Sequence, residues 1–406
     1  MSRTFDQASM RIDRSRCLNL GSRVECMRCR DACVEGLPDP QSLEIVGEHH
    51  RARCDRCGAC ASECPTGVIE LPDDGYARRL PRLSRSLMQC LSGDGDGNDT
   101  PLIVSCGESS SSGEPGAHGG CVSWLDRSAL LHLLATVGRP LRVEIGACAE
   151  VQGVRARACA ERLTRYADSC NTLMESIGVR SRITVSQGVF SAHSPAVDLG
   201  ERLDRATAIR EVLRWGVTVL DWRGDRDQLT SALGDGHRGS DKVNRRFVAV
   251  LAVRNLLERT GGRVATGDGR EESSVGVLST RGPRINSECC VACGACSLLC
   301  PTGALRRIET EGDAASDWML TLDVRQCVGC GICEKQCETP GAIRLADRGT
   351  SGMWRDRPII LIRRDRVVCD TCGSAFPISH APVDSPAKAA RCPSCSARES
   401  RFNGFY

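Results

Sequence analysis

The run Cys54-Asp55-Arg56-Cys57-Gly58-Ala59-Cys60-Ala61-Ser62-Glu63-Cys64-Pro65 decides how the rest of the chain is read. Its spacing, C-x2-C-x2-C-x3-C-P, puts three sulfurs on one short loop, where they reach three corners of a single iron–sulfur cubane. The fourth cysteine opens a segment that leads away. Gly58 lets backbone N–H groups approach the cluster sulfides, and Pro65 fixes the chain as it leaves. The chain holds 27 cysteines in 406 residues, and most stand in runs of this kind. A disulfide framework belongs to short secreted domains. The opening residues Met1-Ser2-Arg3-Thr4-Phe5 carry neither an apolar signal segment nor a twin-arginine pair. The expectation is metal ligation in a reducing cytoplasm.

Upstream, Cys26, Cys29 and Cys33 repeat the pattern loosely, with the first ligand displaced to Cys17 and Val34 standing where the proline would be. These two runs mark an N-terminal module over residues 10–85. Far downstream, Cys290, Cys293, Cys296 and Cys300 precede Pro301, and Cys327, Cys330, Cys333 and Cys337 form a further run. They mark a second module over residues 283–347. Gly294 and Gly331 take the place of Gly58, and Pro301-Thr302-Gly303-Ala304-Leu305 repeats Pro65-Thr66-Gly67-Val68-Ile69, so a whole module recurs. Trp318 to Leu322 alternates as a strand of a small hairpin. Cys289 sits off register and is a bystander. Zinc knuckles do not need two interlocked four-cysteine runs.

Both modules resemble the bacterial-type two-cluster [4Fe–4S] ferredoxins. The resemblance implies a pseudo-symmetric βαββαβ-like unit in each module, with two clusters close together and the fourth cysteine of each run serving the other cluster. On that pattern Cys17, Cys26, Cys29 and Cys64 hold one cluster, and Cys54, Cys57, Cys60 and Cys33 a second. Cys290, Cys293, Cys296 and Cys337 hold a third, and Cys327, Cys330, Cys333 and Cys300 a fourth. In arrangement, the whole layout looks like the multi-module ferredoxin proteins that accompany molybdenum oxidoreductases in bacteria. This implies donor and acceptor redox proteins as partners, a molybdenum oxidoreductase among them.

Residues 360–400 carry Cys369-x2-Cys372 and Cys392-x2-Cys395, two knuckles that match a zinc ribbon. Four thiolates satisfy tetrahedral zinc with no open position. Rubredoxin-type iron is the alternative metal; zinc is favoured because Phe376 is the loop's only aromatic wall.

Between the modules, residues 86–100 form a flexible acidic linker around Ser92-Gly93-Asp94-Gly95. Residues 101–190 alternate strand-like and helix-like stretches: Leu102 to Val104, Ser128 to Val137, Leu141 to Ile145, Glu150 to Ile177, Arg182 to Val185. The alternation predicts a small α/β domain with a parallel sheet. Cys106, Cys121 and Cys148 lie near its strand ends, an arrangement that resembles the thioredoxin-like [2Fe–2S] ferredoxins. Gln152 stands where the fourth ligand would be, so buried or loop thiols rank ahead of a [2Fe–2S] cluster there. Cys90, Cys159 and Cys170 read as helix or linker residues. Residues 191–264 are predicted helical, with apolar recurrence from Ala208 to Trp215 and from Phe247 to Leu257 and charged residues on the other face. Residues 265–282 form a second linker. The fold class expected is α+β: two dicluster modules flanking an α/β and helical middle, with a zinc ribbon at the end.

No nucleotide-binding fingerprint, phosphate loop, nucleophile elbow or histidine-rich metal motif occurs, so an electron carrier or relay subunit is expected before a self-contained enzyme. Its four clusters would pass single electrons, and its linkers would present the modules to separate partners. A second reading is an assembly or maturation factor for a bacterial molybdenum oxidoreductase. A third makes the middle domain a reductase using Cys106, Cys121 or Cys148. The formal charge of +3 counts cysteines as neutral. Each four-thiolate cubane adds roughly −2 and a zinc quartet about −2, so the loaded chain is near ~−7, which argues against nucleic-acid binding. No apolar window is long enough to span a membrane.

Overall fold

The fold is α+β. The computed structural model describes residues 11–12, 16–19, 25–36, 38, 54, 57–70, 76–91, 101–105, 121–145, 153–180, 182–187, 245–261, 278–309, 317–349, 357–377, 391–392 and 394–396. The expected linker around 92–99 and the helical stretch at 208–215 lie outside the described residues.

The first cysteine runs carry β1 (Arg11–Ile12), α1 (Arg28–Asp31), α2 (Ala59–Glu63) and β2 (Ile69–Glu70), and β1 pairs antiparallel with β2. Helix α3 (Tyr76–Leu91) follows. Its Leu80, Leu83 and Leu87 recur at helical spacing and are buried. The boundary expected at residue 85 falls inside this helix.

Next come β3 (Leu102–Ser105), α4 (Arg127–Val137), β4 (Leu141–Ile145), α5 (Gly153–Ser176) and β5 (Ile183–Gln187). The three strands run parallel in the order β3-β4-β5, with Leu102 opposite Leu141 and Leu141 opposite Ile183. Central β4 buries Leu141, Val143 and Ile145. The alternation expected over 101–190 thus produces a parallel sheet with connecting helices. Asp126 starts α4 by accepting from the Ala129 N–H at 2.8 Å, a side-chain cap on an otherwise unpaired donor.

Helix α6 (Arg245–Thr260) packs on α4, and Arg259 Nη1 donates to the Ala135 carbonyl at 2.7 Å near the C-terminal end of α4. Its first six residues, Arg245 to Val250, are all buried. This corrects the expectation that charge lies on the solvent side of this stretch. Arg254 and Glu258 do pair there at 3.1 Å, but Arg245 and Arg246 are 9 % and 3 % exposed. One continuous core runs from Cys60, Val68 and Ile69 through α3, α4, the parallel sheet and α5 to α6.

The second module reads β6 (Arg281–Ile285), α7 (Ala295–Leu298), β7 (Leu305–Glu309), β8 (Asp317–Leu322), α8 (Ile332–Lys335) and β9 (Ile343–Asp347). First and last strands pair antiparallel, as β1 and β2 do, and β7 pairs with β8 as a hairpin. Two further strands complete the chain, β10 (Ile359–Val368) and β11 (Ala375–Pro377), giving a sheet in the order β11-β10-β8-β7. The first part of β10 lies on β8, with Ile362 opposite Leu320, and its end lies on β11, with Val367 opposite Phe376. The C-terminal knuckles therefore grow out of the module's own sheet, which a division at 347 and 360 does not anticipate. The cause is Ile359-Ile360-Leu361-Ile362, a run suited to a pleated, half-buried strand. Its Ile362 joins Trp318, Leu320 and Leu322 in a second core.

Candidate metal centres

Three of the short helices beside the cysteine loops begin at a glycine in the left-handed region: Gly58 (φ 85°), Gly294 (φ 75°) and Gly331 (φ 78°). A side chain there would be strained. The tight loops aim backbone N–H groups at sulfur two residues back: Arg28 at Cys26, Ala292 at Cys290, Gly329 at Cys327 and Ile332 at Cys330. Ala292 holds φ 55° where the sister run has Gly329 at φ 64°. The repeat keeps its loop geometry even where the residue resists it, at a cost of about 1–2 kcal/mol.

Thiols of the two runs in each module act on one another. Burial raises the Cys26 thiol, and the charges of Cys64 and Cys17 push it the same way. Cys29 is pushed up to about 12 by burial first, then by Cys64, Cys26 and Cys17. Cys60 is raised by burial, then by Cys57, Cys33 and Cys54. In the second module, Cys296 is pushed up to about 12 by burial, then by Cys290, Cys293 and Cys337. Cys330 reaches about 12 through burial, opposed by the Ile332 N–H and reinforced by Cys300 and Cys327. In both modules the fourth cysteine of each run acts on a thiol of the neighbouring run: Cys64 on Cys29, Cys33 on Cys60, Cys337 on Cys296 and Cys300 on Cys330. The short helices that carry the third cysteines pack on each other, α1 on α2 and α7 on α8.

These surroundings fit a cationic iron–sulfur core. Sulfurs packed against Trp318, Leu320 and Ile343 have apolar walls. Bare thiolates there would repel one another, whereas bound iron favours the deprotonated ligand. Thr66 and Thr302, expected only as turn residues, place hydroxyls 3.7 Å from the sulfurs of Cys64 and Cys300. Against a thiolate a hydroxyl can only donate. The signal for both was present in the repeated Pro-Thr-Gly turn.

Cys369, Cys372, Cys392 and Cys395 form a separate quartet, with all four sulfurs within 4.8 Å of one another. The Cys372 and Cys392 sulfurs are 3.7 Å apart. Tetrahedral zinc with bonds of about 2.3 Å sets its sulfurs ~3.8 Å apart, so the spacing fits such an ion. The Cys392 N–H donates to the Cys369 sulfur at 3.3 Å and draws that thiol down to about 6. The Ser374 hydroxyl lowers Cys372. Donors placed around two of the sulfurs favour the thiolate before any metal arrives.

Cys159 and Cys170 are buried on α5, and Cys170 is pushed up to about 12 by burial, as suits an inert core thiol. Cys289 accepts from Asn286 Nδ2 at 3.2 Å. Cys90 lies on α3, and Cys121 stands before a short 3-10 turn, Val122–Trp124. Cys106 and Cys148 lie outside the described residues.

Sequence reasoning missed the arginines that approach the cysteine loops. Arg245 donates to the Ala61 carbonyl, lies 3.2 Å from Asp126 and stacks 4.8 Å from the Tyr76 ring. Arg246 Nε donates to the Val324 carbonyl at 2.8 Å. Burial lowers its guanidinium to about 10, against the charges of Cys327 and Asp323. A buried guanidinium leaves no periodicity in sequence, because arginine at a helix start reads as solvated.

No helix among the described residues is long and apolar enough to cross a membrane. Residues 48–70 and 283–306 match the 4Fe-4S binding domain family, stretches that hold Cys54 to Cys64 and Cys290 to Cys300. Over 57 residues the chain is 33% identical to the polyferredoxin protein MvhB of Methanothermus fervidus. That alignment takes in 14% of this chain and spans only 13% of the curated relative's length. The cysteine loops and these matches together mean that the chain carries ferredoxin-like iron–sulfur modules.

Proposed function

We propose that this chain relays single electrons through four [4Fe–4S] clusters between partner redox proteins. The observation that supports the reading is the packing of the short helices that carry the third cysteines, α1 with Cys29 on α2 with Cys60, and α7 with Cys296 on α8 with Cys333. The ligand sets proposed are Cys17, Cys26, Cys29 and Cys64; Cys54, Cys57, Cys60 and Cys33; Cys290, Cys293, Cys296 and Cys337; and Cys327, Cys330, Cys333 and Cys300. Each bound cubane supplies a one-electron couple whose potential follows hydrogen bonding to its sulfurs and solvent exposure. The chain's own part is to hold those sulfurs in apolar walls and to aim N–H and O–H donors at them. The Cys369, Cys372, Cys392 and Cys395 quartet holds structural zinc in this reading. A molybdenum oxidoreductase is proposed among the partners.

A partner needs access to at least one site. Cys293 is the exposed thiol of the four runs, and beside it Leu298 and Leu299 are 71% and 45% exposed. The sister run has Lys335 and Gln336 at those positions. Solvent-facing leucines where the repeat offers polar residues suit a surface that is covered in use.

Anaerobically purified protein should contain about sixteen irons with matching acid-labile sulfide and one zinc, and EPR-monitored titration should show its clusters changing redox state. Colourless protein with negligible sulfide would overturn the reading. Thr302→Val removes the hydroxyl beside Cys300 and should lower one potential in the same titration. The shift expected is about 40 mV, from a hydrogen bond of about 1 kcal/mol that favours the more negative reduced state.

A further inference from the structure

Arg16 stands immediately before Cys17, and its guanidinium touches both modules. Its Nε donates to the Pro301 carbonyl at 2.8 Å and its Nη2 to the Thr66 carbonyl at 3.1 Å. Those carbonyls occupy the repeated Pro-Thr-Gly turns, each directly after the fourth cysteine of a run, Cys64 or Cys300. One rigid planar fork therefore holds two turns from opposite ends of the chain. At the start of α6, Arg245 and Arg246 divide in the same way, one reaching Ala61 in the first module and the other Val324 in the second. Arg325 of the second module stacks 5.3 Å from the Phe247 ring of the same helix. The modules abut through a built junction, in contrast to the separate presentation expected from their linkers.

We infer that Arg16 is a positioning residue that sets the site containing Cys64 against the site containing Cys300. The four sites then form one line, with these two inside and the sites containing Cys57 and Cys293 at the outer ends. The inference rests on the relay reading and on its crossed ligand sets. The step across the junction moves one electron: one site is oxidised as the other is reduced, and no bond is made or broken.

The test compares full-length, anaerobically loaded wild type with Arg16→Ala. Iron and sulfide content should be unchanged. Magnetic coupling between modules in the reduced protein should disappear, and redistribution of electrons between modules after flash reduction should slow by about tenfold or more. Unchanged coupling and rate would overturn the inference. Should Arg16→Ala fail to load, ligand deletions test the same order with Arg16 intact. Removing the outer pair (Cys57→Ser with Cys293→Ser) should leave two coupled clusters, and removing the inner pair (Cys26→Ser with Cys330→Ser) two uncoupled ones; the reverse pattern would overturn it. Amide hydrogen exchange needs no redox change and should rise in both Pro-Thr-Gly turns of Arg16→Ala; unaltered protection counts against the clasp. Wild-type clusters that resist all reduction would sink the relay reading alone, and the exchange result would still judge the clasp.

Discussion

Arg245→Ala is expected to destabilise the folded chain by about 3–5 kcal/mol, the range for breaking a buried ion pair by removing one partner. Arg245 and Asp126 are nearly enclosed, with side chains 9% and 4% exposed and 3.2 Å between them. Asp126 would keep its hydrogen bonds from Ser128 and the Ala129 N–H, but its charge would lose its only cation within ion-pair distance among the described residues. The Ala61 carbonyl and the Tyr76 ring would also lose the guanidinium. Against a total stability of about 5–15 kcal/mol for an ordinary domain, the loss is large. Denaturant titration of the loaded protein, followed by bleaching of cluster absorbance, measures it. Arg245→Lys should recover only part, because an ammonium cannot keep the planar stack and the carbonyl bond together. A change below about 1 kcal/mol would show that the pair behaves like an exposed one.

Cys392→Ser should remove one metal per chain and unfold the C-terminal knuckles while leaving the iron content intact. The quartet's sulfurs are drawn from two segments joined through residues outside the described set, and the regular structure described between them is the short strand β11. Structural zinc of this kind contributes an apparent ~10–16 kcal/mol to folding, far more than three residues of strand pairing supply. Amides from Arg366 to Phe376 should lose protection from hydrogen exchange. Those of β10 opposite β8 should keep theirs, because Ile362 remains packed beside Leu320. Zinc and iron analysis together with exchange separates this outcome from global unfolding. Retention of the metal would mean that three sulfurs suffice.

The cysteine runs were legible because ligation demands fixed spacing, and spacing is what a sequence displays. The parallel sheet was legible for a related reason: Leu102 to Ser105 and Leu141 to Ile145 are short apolar strands separated by the helical pattern of Arg127–Val137. What escaped notice depends on tertiary placement. Arg16, Arg245 and Arg246 look like solvated charges until the fold puts carbonyls from distant segments beside them. The hydroxyls of Thr66 and Thr302 look like turn formers until a sulfur is found beside each. The extent of β10 was hidden because one of its two pairing partners, β8, lies on the far side of the run Cys327 to Cys337, and its polar end, Arg363 to Arg366, does not announce a strand.

That strand also decides where the chain can be cut. A fragment ending after β9 would keep every cysteine of the second pair of runs, yet it would strip Ile359 to Asp365 from β8 and leave the ladder edge at Asp317 to Leu322 open to strangers. An excised unit therefore has to run on through the knuckles to behave as it does in the whole protein.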